Sequence, residues 1–222
     1  MTIKIYLSWQ KSKSKTVGYL LKVFLSFTTA LLVFAPNGII IKDPRIINLI
    51  FNIYTFFFFL GLGYFVMLTF EINHRQLLKR IIFPIIIIYG LLLSIIPSIN
   101  LKPALVGVQK PFIFWEDTRG PLINTFIGAG LGILSFWVIF FFFNNGIKVK
   151  EKYVRQRSFL ISGGVLCFLL SSITDFVFGA NPNIFYISIY TMFFNALAIG
   201  LLLFAVEYKK EEKISDKYFG NV

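Results

Sequence analysis

Residues 155–210 read RQRSFLISGGVLCFLLSSITDFVFGANPNIFYISIYTMFFNALAIGLLLFAVEYKK. The stretch holds two apolar runs of about twenty residues, each long enough to cross a hydrocarbon core about 30 Å thick as a helix. Gly179-Ala180-Asn181-Pro182-Asn183 joins them, a connection that permits only an antiparallel hairpin, and basic residues fence both far ends. One acid, Asp175, lies inside.

The rest of the chain repeats this grammar. Of 222 residues, 57% are hydrophobic and 14% charged, where a soluble domain carries about 25% charge. Further apolar runs span Val17–Ala35, Ile46–Phe70, Ile81–Ile99 and Leu122–Phe143, and the hairpin adds Ser158–Phe178 and Ile184–Val206. Lipid offers no partner to free backbone groups, so these segments must be helices, and the alternation of a membrane barrel is absent. The expected fold is all-α, a polytopic bundle of six transmembrane helices over residues 17–206. A basic N-terminus (1–16) and a short charged tail (207–222) flank it. The first run exceeds the core of a signal peptide and is read as a retained helix, with Lys22 snorkelling to the interface. Pro84 falls in the first turn of the third run, where a missing N–H costs little.

Charge gives the orientation. The segments 1–16, 71–80, 145–157 and 207–222 hold sixteen Lys and Arg, against five in the alternate loops. That bias predicts a multi-pass protein of the cell membrane with both termini cytoplasmic. The formal charge of +12 is dispersed among short loops, which argues against nucleic acid as a partner. Cys167 is the single cysteine, so neither a disulfide framework nor a thiolate metal cluster is expected.

Candidate ligand-binding residues gather at the outer ends of the helices. Ser171 and Ser172 lie one turn before Asp175, and Asn195 faces them from the last helix. Asp175 is about 25 Å along its helix from Ser158, near the outer interface, where an ionised group costs far less than at mid-membrane. It reads either as a ligand or proton site opening outward or as a carboxylate that locks the hairpin. Asn181 stands at the hairpin tip. Glu116 and Asp117, adjacent in the longest loop (100–121), offer oxygen ligands for a hard cation, a weak signal by itself. Trp115 beside them suits an interfacial anchor. Gly128 and Gly132, and the pair Gly163 and Gly164, are expected to let helices pack closely. His74 is the only histidine, and no nucleotide loop, zinc-protease motif or catalytic triad is present, so no enzyme, cofactor or metal is expected.

At the hairpin the pattern resembles the end of the seven-transmembrane N-terminal region of sensor histidine kinases. The shared texture is a basic RQR segment, a helix opening on paired glycines and ending in Asp, and a last helix leaving as an aromatic-basic stretch. The Arg119-Gly120-Pro121 before the fourth span and the basic link 148–157 are similar too. The likeness runs over roughly 120–210, with 46–100 alike only in hydropathy. It departs in having six spans rather than seven, and in having only sixteen residues after the last span, too few for a dimerisation helix pair and an ATP-binding domain. What it implies is the input half alone. The expectation is a stand-alone membrane sensor or ligand-binding module that signals through a separate cytoplasmic output protein. Its other partners are the lipid bilayer and further copies of the chain. The alternative is a subunit of a transporter or channel, or a structural membrane subunit.

Overall fold

The computed structural model describes residues 2–34, 43–99, 102–109, 112–116, 119–178 and 184–207. Seven helices and one small hairpin are present among them: α1 (Thr2–Ser12), α2 (Lys15–Phe34), α3 (Pro44–Ile72), α4 (Gln76–Ile99), β1 (Leu105–Gln109), β2 (Phe112–Glu116), α5 (Pro121–Lys148), α6 (Lys152–Phe178) and α7 (Ile184–Glu207). The helices α2 to α7 each contain a stretch long and apolar enough to cross a membrane. They match the six expected runs. Large apolar side chains such as Ile88, Ile96, Ile133, Phe140, Met192 and Phe204 stay exposed on the bundle's outside, the surface lipid covers.

Two elements were not expected. Residues 2–12 are not simply a basic tail. They form α1, which ends at Lys13 in the left-handed region (φ 50°) and folds back along α2. The Thr2 and Thr28 hydroxyls meet at 3.0 Å, Ile5 is buried, and Trp9 lies against Gly18. The 100–121 loop carries a local antiparallel pair, with Leu105 opposite Glu116 and Gln109 opposite Phe112.

Helix α4 begins five residues before the third apolar run, so Pro84 sits in its interior and not in its first turn, and Pro97 is interior as well. Membrane helices tolerate this because neighbouring groups re-satisfy the freed carbonyls. The extra turn from Gln76 places Lys79 in an ion pair with Glu71 and 4.4 Å from the ring of Tyr19. The α3–α4 turn has His74 at φ 56°, with Arg75 N–H donating to Phe70 O at 2.9 Å. That six-to-one bond is the one a glycine usually permits at a helix end.

The most buried element is α3. In its membrane-length window 67% of residues are buried, against 17–44% for the other five, so α3 is the mast around which the bundle forms. α2 packs along one side of it, α4 along another, and α5 crosses behind; α6 then joins α5, and α7 joins α6. Each successive pair is antiparallel. Phe34 meets Phe51 where α2 ends and α3 starts, Asn52 meets Ser98, and Arg157 meets Ala205. The segments 15–22, 71–80 and 145–157 therefore share one end of the bundle, the basic end, and the strands lie at the other.

Most interfaces carry a hydrogen bond from side chain to neighbouring helix. Trp137 Nε1 donates to Thr69 Oγ1 (α5 to α3), Tyr89 Oη to Phe126 O (α4 to α5), Ser162 Oγ to Ile139 O (α6 to α5) and Arg157 Nε to Ala205 O (α6 to α7). The close glycine contacts differ in part from those expected. A methyl on Gly164 would come 2.8 Å from Leu202 Cγ and 3.2 Å from Ala198 O, so this is where α7 approaches α6. Gly163 has only an ordinary contact with Leu201. Gly132 faces open space, and in α5 the tight contact falls on Gly130, under Tyr89 and Phe59, because that face turns towards α3 and α4. Gly128 is partly buried. Gly164→Leu is expected to destabilise by about 1–3 kcal/mol through overpacking, and Gly132→Leu by less than about 0.5 kcal/mol. Thermal unfolding midpoints in detergent distinguish the two; equal losses would remove Gly164 as the point of contact.

Candidate functional site

Two polar constellations interrupt the apolar interior. The first is built on α3, whose Asn48, Asn52 and Thr55 recur at i, i+4 and i+7 and so share one face. All three are buried. Asn48 Nδ2 donates to Lys102 O at 2.8 Å, and Asn52 Nδ2 donates to Ser98 Oγ at 2.9 Å. Thr55 Oγ1 donates to Phe51 O in its own helix and accepts from Arg119 Nη1 at 2.7 Å. Arg119, only 8% exposed, lies just before α5, where Gly120 and Pro121 start the helix. With Ala104 N–H donating to Pro44 O, these bonds fasten both ends of the 100–121 loop onto the start of α3.

The second constellation lies between α2 and α7, which share no interface as extensive as those of their other neighbours. A cavity of about 500 Å³ opens there. Its floor is an aromatic trio from three helices, with ring centroids 5.2 Å apart for Phe27–Phe58, 5.5 Å for Phe27–Phe168 and 5.7 Å for Phe58–Phe168. Leu31, Ile199 and Leu203 line its walls. Thr2, Thr28 and Asn195 supply its polar groups, and Thr2 and Ile3 of α1 reach its edge.

The expected α6–α7 seam is present in part. Ser171 is buried and its Oγ donates to Thr191 O across the hairpin at 3.3 Å. Ser172 turns back on its own helix and donates to Phe168 O at 2.9 Å, which commits its hydrogen locally. Asn195, half-buried, stands on the cavity wall one turn beyond Thr191. Asp175 lies in the last turn of α6, which continues through it to Phe178. The side chains of Asp175 and Glu116, and all of Asp117 and Asn181, lie outside the described residues. Among the described residues no three His, Cys, Asp or Glu side chains come together as metal ligands.

The α3 face was not among the expected site residues, and Arg119 figured there only as part of the loop before the fourth span. The signal was available, since Asn48, Asn52 and Thr55, then Ser94 and Ser98, are polar at helical spacing inside otherwise apolar runs. No family model, curated protein or solved structure matches this chain. Arg119→Ala should destabilise by about 2 kcal/mol, the worth of a hydrogen bond to a charged group. Thr55→Val should cost less, and in the double variant the two losses should fall short of additive. A denaturant titration of the four proteins in detergent measures this, and strict additivity would show that the pair is not coupled.

Proposed function

We propose that this protein is a membrane sensor or ligand-binding module whose ligand is an apolar molecule drawn from the bilayer. The cavity between α2, α3, α6 and α7 carries this reading. Its volume of about 500 Å³ lies within the 300–1,000 Å³ of small-molecule sites, and it has their character, apolar walls with a few polar groups that fix orientation. Asn195 would hold the single polar end of such a ligand, and the Phe27–Phe58–Phe168 floor its apolar body. A ligand seated there touches both α2 and α7, so it favours any state in which their spacing suits it, and only such unequal binding moves an equilibrium. The output would leave through α7, whose last turn is tied to α6 by Arg157. A cytoplasmic partner would read it at the basic end, with that end facing the cytoplasm.

The test uses the purified full chain in detergent and in nanodiscs. Mass spectrometry of co-purified small molecules, together with labelling by a photoactivatable fatty acyl probe, should place an apolar species on peptides of α2 and α7. Thr28→Phe, which fills the cavity, should abolish that labelling, and Asn195→Leu should weaken it. Undiminished labelling in a stable Thr28→Phe protein rules this cavity out. Orientation is measured separately on a Cys167→Ala background, with single cysteines in loops 37–45 and 145–157. An impermeant maleimide should label the first from outside and leave the second untouched; the reverse pattern overturns it.

A further inference from the structure

On the opposite side of α3 from the cavity's aromatic floor, a second concavity opens between α3 and α4, about 350 Å³ in volume. Its walls are Ile53, Phe56, Leu91 and Ile95, and its polar groups come from Asn52, Ser94 and Ser98. Ile53, Leu91 and Ile95 are exposed, so the groove faces the surface that lipid would cover.

Asn52 makes this groove more than a surface crease. The residue is 1% exposed, and its Oδ1 has no hydrogen-bond partner. A buried amide oxygen left unpaired costs about 1–3 kcal/mol, and bulk water is not at hand in hydrocarbon to relieve it. The neighbouring groups cannot serve it. Ser94 Oγ gives its hydrogen to Gly90 O and Ser98 Oγ gives its own to Ser94 O, each at 2.8 Å. Ser98 Oγ is in turn the acceptor for Asn52 Nδ2. With both hydroxyl hydrogens committed to backbone carbonyls, the groove offers acceptors, Asn52 Oδ1 and the free lone pairs of Ser94. No charged side chain lines it.

We infer that this groove binds a long-chain amphiphile through one neutral hydroxyl, which donates to Asn52 Oδ1 while the chain lies along Ile53, Phe56, Leu91 and Ile95. The chemistry excludes the alternatives by type. An anion would meet acceptors, and an ion of either sign would lose its hydration without a counter-charge. A plain hydrocarbon would leave the amide oxygen unpaired. A hydroxyl satisfies the acceptor and brings no charge into the bilayer. The site is independent of the α2–α7 cavity and survives or fails by itself.

The experiment compares two probes on the full chain in nanodiscs: a photoactivatable long-chain primary alcohol and its methyl ether, which has the same chain and oxygen but no donor hydrogen. The alcohol should label peptides of α3 and α4 with an apparent affinity about fivefold above the ether, the size of one neutral hydrogen bond. Asn52→Leu should erase that preference. Ser94→Ala removes an acceptor that the single hydroxyl does not use and should leave the preference in place; its loss in folded Ser94→Ala would overturn the assignment to Asn52, and the wild-type probe pair decides the matter even where Asn52→Leu does not fold. Equal labelling of wild type by alcohol and ether, or an alcohol preference that persists in folded Asn52→Leu, overturns the proposal, as does labelling confined to α2 and α7.

Discussion

The bundle depends on burying α3. Its apolar face is no richer than that of its neighbours, yet α2, α4 and α5 all pack on it, and Phe59, Leu62 and Phe65 are almost wholly enclosed. In a bilayer the hydrophobic effect does not drive one helix onto another, so close packing and interhelical hydrogen bonds must do so. The α3 sequence supplies both. Gly61 and Gly63 admit Phe27 and Ile86 against the backbone, and Thr69 accepts from Trp137. At its start, Asn48, Asn52 and Thr55 tie down α4, the following loop and Arg119.

From this constraint the two hollow places follow. Helices that pack on α3 cannot all pack on one another, and α2 and α7, on either side of the α3–α6 contact, are left with a gap. Aromatic rings close its floor because Phe27, Phe58 and Phe168 are large enough to meet from three helices. On the other flank, Asn52 and Ser98 hold α3 and α4 together by one bond and leave a groove beside it. Empty volume here is a by-product of packing geometry, and a few polar side chains line it.

The α6–α7 hairpin has a more modest place than its sequence suggests. It is fastened by Gly164 against Leu202, by Ser171 to Thr191 and by Arg157 to Ala205, three contacts spread along its length. Its polar residues divide: Ser171 serves the hairpin itself, Ser172 its own helix, and Asn195 the cavity. No shared seam of the three toward one ligand is formed among the described residues.

The sequence alone determined the six helices, because an apolar run of some twenty residues in lipid has no other way to satisfy its backbone, but not their ends, which in α4, α5 and α6 reach about five residues beyond the apolar runs. It also determined that the segments 71–80 and 145–157 fall at one end, since neighbouring helices run antiparallel, but not that residues 2–12 fold back along α2 away from that end. Which helix is central was settled only by the tertiary structure, because hydropathy is alike in a helix that faces lipid and one that faces protein. The same holds for the choice among glycines. Gly130 and Gly132 differ by two residues, about 200° around the helix, and only the position of Tyr89 and Phe59 tells which of them is covered. The polar face of α3 was written in the spacing of Asn48, Asn52 and Thr55. What it binds to, from Lys102 to Arg119, depends on chain as many as 64 residues away, which no local pattern can report.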